Sequence, residues 1–395
     1  MLLGVTGGIA AYKAVQLARD LTLLGADVDV VMTDAATRFV GPLSFEGVTG
    51  RPVHRNILEP GRALDHIRLA READVICVAP ATADFLARAA AGRANDLLGA
   101  LLLATEAPVL VCPAMNDRMW AHPQTQANAD HLRAAFSCEI VGPGVGPLAY
   151  DEGEGAGRMV EPDRIVQHIG RALDRPGPLR DRDIVVTAGP TREALDPVRF
   201  LSNQSSGRMG FALAAAAWRR GAHVTLIAGP TEVPPPHGPN LVAVETAAEM
   251  DEAVQKAGAQ ADVLIMAAAV ADFRPAGPAA QKMKKRDAPA SLPLEPVADI
   301  LAGARAAMPE GAVLVGFALE TEDVRANALK KLKEKDLDLI VLNDATRPGA
   351  GFGVSTNEVV ILDRDGAEEA LPLLPKDEVA ERILDQLETL FADRS

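Results

Sequence analysis

Aromatic side chains are scarce in this chain. Two Trp (Trp120, Trp218), two Tyr (Tyr12, Tyr150) and ten Phe amount to 4% of 395 residues. An interior with so few rings is filled by Ala, Val and Leu, which suits parallel sheets covered by helices. Cysteine is rarer still, and Cys77, Cys112 and Cys138 show no metal-ligand spacing. Two of them lie in the apolar runs VICVAP and VLVCPA. Buried reduced thiols and a cytoplasmic location are the expectation. No apolar run exceeds strand length without a Gly or a charge, so neither a signal peptide nor a membrane span is expected. The chain opens almost directly in its first strand, LLGV, and a start a few residues upstream would complete that strand. Positive charge is in deficit, with 40 Lys and Arg against 54 Asp and Glu and a net charge of −14. General nucleic-acid binding is therefore not expected, and any local cluster of Lys stands out. Also missing is a GxGxxG fingerprint with an acidic residue at the usual ribose distance, which argues against a plain NAD dehydrogenase.

Apolar residues make up 48% of the chain, enough for full cores, and the length suggests two domains. A strand, a glycine turn and a helix follow one another twice. The first instance is strand 2–6, Gly7-Gly8 and a helix from Ile9 to Leu24. Strands at 27–32, 74–79, 108–112 and 139–142 follow, with helices from Asp34 and over 82–104, 122–135 and 162–174. The second instance, IVVTAGPTREALDPVRFLSNQSSGRMG from Ile184 to Gly210, begins as strand 183–188 and re-enters a helix at Gly207. Strands over 222–228, 261–267, 312–317, 337–342 and 358–362 alternate with helices over 246–258, 323–335 and 376–391. Alternation of this kind gives an α/β fold with two open parallel-sheet domains. Pro176 and Pro178 flank Gly177 among charges. A short semi-rigid linker there divides the chain into domains 1–177 and 178–395.

Several residues admit both a structural and a functional reading. Gly7 and Gly8, in GVTGGIAAYK, place free N–H groups at a helix start, where a phosphate or flavin could bind or where a tight turn simply packs. Thr82 follows a strand and opens a helix, as a site hydroxyl or a plain N-cap. His66 is a base or a structural histidine, and Asn116 a carboxylate ligand or an Asx turn. In the second half, Ser205-Ser206-Gly207 precedes a helix and Asn203 lies just before it. Asp272, in AAAVADFRP, sits past a strand end. KMKKR (Lys282 to Arg286) is a basic loop, and Lys331 and Lys335 share a helix face at i, i+4.

Taken in order, GGIAAYK, DHIRLAREADVICVAPATADFLARAAAGRANDLL, PAMNDRMW and GEGAGRMVEP resemble the flavin-containing half of a bifunctional coenzyme A biosynthesis family. In that family phosphopantothenoylcysteine decarboxylase is joined to phosphopantothenate–cysteine ligase. TAGPTREALDPVRFLSNQSSGRMG, AAAVADFRP, the Lys-rich loop, VGFALET and NDA resemble its ligase half. The resemblance implies a flavodoxin/Rossmann-like FMN-binding domain followed by a Rossmann-like CTP-binding domain. It implies FMN-dependent oxidation of the cysteinyl moiety of 4′-phosphopantothenoylcysteine to a thioaldehyde, loss of CO₂, and reduction of the enethiol to 4′-phosphopantetheine. By the same resemblance His66 is the base and Asn116 holds the substrate carboxylate, while Gly7, Gly8, Thr33, Thr82 and Asn95 contact the flavin.

For the ligase half the resemblance implies CTP and Mg²⁺, with no Mg²⁺ ligands identified. The carboxylate of 4′-phosphopantothenate attacks the α-phosphate of CTP, and the amine of cysteine then displaces CMP. Asn203 contacts the acyl-cytidylate, and Ala268, Asp272, Phe317, Lys331 and Lys335 bind CTP. Lys282 stabilises the reacting phosphates. The partners implied are these small molecules and further copies of the chain, N-terminal trimers and C-terminal dimers combining into a dodecamer. One departure stands out: the segment Gly146 to Met159, GPLAYDEGEGAGRM, is one residue longer than the family pattern and lacks its proton-donating Cys. Tyr150 stands in about that place, either as a proton donor or as a loop aromatic over the substrate. An alternative keeps only the ligase active, with the N-terminal half a flavin-binding oligomerisation or regulatory module.

Overall fold

A computed structural model describes residues 1–57, 64–174, 177–284, 291–320, 324–344, 351 and 353–393, without the side chains of 319–320, 324–327, 344 and 393. Pro176 of the expected linker and Lys285 and Arg286 of the basic loop lie outside the described residues. The chain divides into two compact units, Met1–Asp174 and Arg175–Ser395.

The first unit has a five-stranded parallel sheet of β1 (Leu2–Val5), β2 (Asp29–Met32), β3 (Ile76–Ala81), β4 (Val109–Pro113) and β5 (Glu139–Ile140), in the order β2-β1-β3-β4-β5. The central strands carry apolar residues without alternation because both faces are covered. Leu3, Val5, Cys77 and Cys112 face one core and Leu2, Ile76, Val78 and Val111 the other. The helices are α1 (Ala11–Leu23), α2 (Pro42–Thr49), α3 (Asp65–Glu72), α4 (Ala83–Ala90), α5 (Leu97–Ala104), α6 (Asp117–Ala121), α7 (Pro123–Ala135) and α8 (Pro162–Leu173). α1 buries Ala11, Ala14, Leu17, Ala18 and Leu21, the spacing of a single helical face.

The sequence suggests one helix over 82–104, but the structure has two. Gly92, at φ +63°, ends α4, and the Asp96 carboxylate caps α5 by accepting from the Gly99 amide at 2.8 Å. The Arg88 guanidinium donates to Asp84 and Asp96 across this break. A hairpin that the sequence did not reveal, β6 (Gly144–Pro147) and β7 (Glu154–Arg158), follows β5. All three cysteines are free and buried.

Near the edge strand β2, Arg51 grips Asp29 with two hydrogen bonds of 3.0 and 3.1 Å, and the buried His54 ring lies 3.9 Å away. His54 first, and then Arg51, hold the Asp29 carboxyl down to about 2 against the upward pull of burial. The ordinary value is 3.8. The stabilisation is therefore present above about pH 4 and is lost as pH falls towards about 2. Asp29→Asn is expected to lower the urea midpoint at neutral pH, and its deficit against the parent protein should shrink across that acid window. A deficit that stays constant with pH would count against this assignment.

The second unit begins with β8 (Asp183–Ala188) and the hairpin β9 (Arg192–Ala194) and β10 (Phe200–Ser202). β11 (His223–Ala228), β12 (Asn240–Ala243), β13 (Val263–Met266), the hairpin β14 (Phe273–Pro275) and β15 (Leu294–Pro296), β16 (Val313–Glu320) and β17 (Leu339–Asp344) follow. The last strands are β18 (Thr356–Asn357), β19 (Val359–Asp363), β20 (Glu368–Ala370) and β21 (Leu374–Pro375). The main sheet runs β12-β11-β8-β13-β16-β17-β19-β20. Its first six strands are parallel, whereas β19 runs antiparallel to β17 and β20 antiparallel to β19.

Helices α9 (Arg208–Arg219) and α13 (Lys376–Asp393) cover one face. α10 (Ala247–Gly258), α11 (Ile300–Ala307) and α12 (Val324–Glu334) lie on the other. The shortage of rings shows in α9, where Ala212, Ala214, Ala216 and Ala217 are buried. A Cβ at Gly210 would lie 2.6 Å from the Ala188 side chain, so that glycine lets the helix sit directly on β8. No helix among the described residues is long and apolar enough to cross a membrane.

Candidate functional sites, one in each unit

In the first unit β2 and β3 flank β1, and the strand order reverses between β1 and β3. Such a switch point is where open parallel sheets leave a crevice for a ligand. Thr6 ties the two strand ends together: its hydroxyl donates to the Pro80 carbonyl at 2.7 Å and accepts from the Thr82 amide at 3.1 Å. A cavity of about 1250 Å³ opens there, lined by Gly7, Thr33, Thr82 and Asn95 among others. A Cβ at Gly7 would stand 2.4 Å from the Ala35 side chain, whereas one at Gly8 would first meet Thr82 at 3.6 Å. The glycine pair thus lets the β1–α1 turn press against the β2 loop while leaving space on the Thr82 side.

Thr82 does cap α4, accepting from the Phe85 amide at 3.3 Å, and Thr33 accepts from the Ala36 amide at 3.3 Å. The Asn95 carbonyl accepts from Arg88 at 3.4 Å. Arg55 and Arg88 bring cations to the same cavity. Its size, its position at the switch point and the glycine cradle fit a flavin mononucleotide.

The other sequence candidates of this unit are not among the cavity-lining residues. His66 lies in the first turn of α3, half-buried, and its Nδ1 is a buried atom with no hydrogen-bond partner among the described residues. Asn116 caps α6, its carbonyl accepting from the Arg118 amide at 2.9 Å, so the side-chain NH₂ is the part available to a ligand. The β6–β7 hairpin crosses directly over it. Met115 donates its amide to the Gly157 carbonyl at 2.9 Å, and a Cβ at Gly157 would come within 2.2 Å of the Met115 carbonyl.

At the hairpin foot, the buried Lys13 ammonium donates to the Met159 carbonyl at 3.2 Å and to Glu161 at 2.9 Å. Tyr150 stands at the tip, 101% exposed. Cys138 lies outside the hairpin, just before β5. It lines a different cavity with Leu103 and Glu106, and burial pushes its thiol up to about 11.

The second unit gathers its candidates more completely. One pocket of about 560 Å³ is lined by Asn203, Ala268, Asp272, Phe317, Lys331 and Lys335. These come from four separate elements, and the β8–β13 switch point brings them together. The Asn203 amide donates to the Ala269 and Val270 carbonyls at 3.2 and 2.9 Å, joining the loop before α9 to the loop after β13. Thr187 and Thr191 accept from the Ala268 and Ala271 amides and hold the same loop.

Gly189 and Gly207 both have φ of +75°. A Cβ on Gly229 would lie 1.8 Å from the Pro190 carbonyl. These close approaches bring the turn after β8 against the start of α9. Lys331 donates to the Phe317 carbonyl at 3.1 Å. Lys335 pairs with Asp299 at 2.5 Å. Burial pushes the Asp299 carboxyl up, but the Lys335 ammonium and the Ala302 amide outweigh it and hold it below the usual range.

Lys282 is exposed and is not among the pocket-lining residues. Its neighbour Met283 is fixed: the amide donates to the buried Asp196 at 3.2 Å, and the carbonyl accepts from Arg199 at 2.9 Å. Sequence reasoning missed Arg208, Asn343, Asn357 and Lys376, which also line the pocket. Asn343 belongs to the NDA motif, and its Oδ1 is buried without a partner among the described residues. Lys376 had no sequence signal, since a lone Lys after Pro375 reads as a helix start. No three His, Cys, Asp or Glu side chains among the described residues form a metal-binding group.

Residues 1–174 match a family model described as flavoprotein, and residues 179–390 match one described as DNA/pantothenate metabolism flavoprotein C-terminal domain. The chain is 46% identical over 395 residues to the coenzyme A biosynthesis bifunctional protein CoaBC of Vibrio vulnificus strain YJ016, covering 99% of this chain and 98% of that one. It is 44% identical over 400 residues to the protein of the same description from Escherichia coli K12, covering 100% and 98%. A crystal structure of the C-terminal domain of a coenzyme A biosynthesis bifunctional protein is 41% identical over 55% of this chain and 99% of its own, with a TM-score of 0.47.

Proposed function

This chain belongs to the family of bifunctional coenzyme A biosynthesis proteins along nearly its whole length, and from that premise we propose that it ligates 4′-phosphopantothenate to cysteine and decarboxylates the product to 4′-phosphopantetheine. The observation that carries the reading is the pairing of two separate sites. A switch-point cavity fit for a flavin lies in one unit, and a Lys-containing pocket at a second switch point lies in the other. The match across both halves favours this over a ligase-only reading.

In the decarboxylase, residues 1–177, Gly7, Gly8, Thr33, Thr82 and Asn95 would hold FMN, which when bound supplies two-electron redox chemistry. His66 takes a proton from the substrate as general base. Its partnerless Nδ1 supports that role. Asn116 orients the substrate carboxylate through its side-chain NH₂, because its carbonyl is committed to the helix cap. Tyr150 rides on the hairpin that closes over Asn116. It is the proposed replacement for the missing thiol, as a donor or as an aromatic cover.

In the ligase, residues 178–395, the carboxylate of 4′-phosphopantothenate attacks the α-phosphate of CTP and pyrophosphate leaves. The amine of cysteine then attacks the acyl carbon and CMP leaves. Asn203 positions the acyl-cytidylate. Ala268, Asp272, Phe317, Lys331 and Lys335 hold CTP, and Lys282 stabilises the reacting phosphates. A phosphorylated acid must approach a triphosphate, so cations are needed to offset the repulsion. Mg²⁺ held mainly by the triphosphate needs few protein ligands. We further propose a cytoplasmic homo-oligomer, a dodecamer by family resemblance, with no nucleic-acid or membrane partner.

One incubation of purified protein with 4′-phosphopantothenate, cysteine, CTP and Mg²⁺ tests the reading. Release of CMP, pyrophosphate and CO₂ with formation of 4′-phosphopantetheine is expected, from a yellow preparation. Lys282→Gln in the same incubation is expected to stop ligation and to spare decarboxylation of supplied 4′-phosphopantothenoylcysteine. Equal loss of both activities would argue against independent sites.

A further inference from the structure

Two cations with no carboxylate partner among the described residues line the ligase pocket. Arg208 is the first residue of α9 and Lys376 the first residue of α13, and both line the pocket. Lys376 is 6% exposed. Its ammonium donates to the Gly351 and Val354 carbonyls at 3.0 and 2.7 Å. An ammonium has three donors, so one remains to be used. The Arg208 side chain has no hydrogen bond or ion pair among the described residues. Burial, and then the charge of Arg208, hold the Lys376 pKa below its ordinary 10.5. Lys335, which lines the same pocket, is paired with Asp299 at 2.5 Å, and no such carboxylate pairs with Arg208 or Lys376 among the described residues. α9 is 12 residues long, and its first N–H groups add a partial positive charge beside Arg208. Like charges held together in this way favour a shared anion.

Resting on the nucleotide-dependent ligation argued above, we propose that Arg208 and Lys376 form a phosphoryl subsite holding the pyrophosphate portion of the nucleotide. Both phosphate-bearing substrates share this chemistry. Chain order favours the nucleotide: Asn203, assigned to the acyl-cytidylate, is five positions before Arg208 on the loop leading into α9. An α-phosphate beside that loop directs the next two phosphates to the helix start. The pyrophosphate leaves in the first step, so the two cations stabilise the charge that builds on the leaving group as the α–β bridging bond breaks.

The test uses full-length protein, with Arg208→Gln, Lys376→Met and Lys376→Arg. Ligation is followed with CTP varied, then with the phosphorylated acid varied, and with inorganic pyrophosphate as inhibitor against CTP. Arg208→Gln is expected to raise the KM for CTP about tenfold and to weaken pyrophosphate inhibition by a similar factor. The KM for the acid should stay within about twofold. Lys376→Met should do the same more strongly, and Lys376→Arg should recover part of the loss. If Lys376→Met does not fold, exposed Arg208 still decides the matter.

Unchanged pyrophosphate inhibition in Arg208→Gln would overturn the subsite. A rise in the KM for the acid without one for CTP would overturn its assignment to the nucleotide. If the parent protein forms no CMP from CTP, the functional reading fails instead. Calorimetric binding of inorganic pyrophosphate to the parent protein and Arg208→Gln then reads the subsite directly, with equal affinities counting against it.

Discussion

Asn203→Ala is expected to lower ligation by on the order of 100-fold, the scale of losing one positioned donor in an acyl-transfer site. Decarboxylation of supplied 4′-phosphopantothenoylcysteine should continue at the parent rate. Two effects combine in the loss. The side chain is proposed to contact the acyl-cytidylate, and it also bridges the loop before α9 to the Ala269 and Val270 carbonyls. Without that bridge the residues around Ala268 and Asp272 lose their fixed relation to the start of α9. Asn203→Asp separates the contributions, because a carboxylate cannot donate to two carbonyls and sets a negative charge beside the phosphates. The aspartate variant should therefore be the worse of the two. Ligation at parental rates in either variant would remove Asn203 from the site.

Gly7→Ala is expected to have the complementary effect. One methyl group there would fall 2.4 Å from the Ala35 Cβ and 2.8 Å from the Ala35 carbonyl carbon. The backbone of the β2 loop would have to retreat. Overpacking of this kind costs about 1–3 kcal/mol. That cost falls on the two loops that form the cavity wall. Flavin affinity should drop roughly tenfold to a hundredfold. The protein should purify with little yellow colour and little decarboxylase activity, while ligation is retained. Gly8→Ala is the control, since its added methyl meets only Thr82 at 3.6 Å. Equal flavin retention in the Gly7 and parent proteins would show that this turn is not the cradle.

Much of the fold was legible because the central strands are continuous apolar runs and two of them end in glycine turns. VICVAP and IVVTAG are long and uniform enough to identify themselves. The elements missed are short or polar. β6 and β7, GVGP and EGAGR, carry no alternating apolar pattern. Their pairing depends on glycines that allow close contact with Met115 and on Lys13 at the hairpin foot. The break at Ala91–Asp96 is hidden in the sequence because its flanks are both good helix formers. Asp96 gives a local cap signal, but the Arg88 bridge that fills the break is a matter of three-dimensional position.

The sequence by itself determined the α/β class, the two glycine-rich starts and the family to which the motifs belong. These are local properties, fixed by apolar runs, by turn chemistry and by the order of short motifs. Only the tertiary structure decided which residues share a pocket. Asn203, Phe317, Lys331 and Lys376 are drawn together because the strand order places β8, β13 and β16 side by side, with crossover helices carrying the chain between them. No periodicity encodes that neighbourhood. The same geometry separated Lys282 and Tyr150 from the cavity-lining residues and put Arg208 beside Lys376, although the two stand 168 positions apart in the chain. Burial then gave Lys376 its significance: in water it is one lysine among many, whereas beside a second cation in a pocket it calls for an anion.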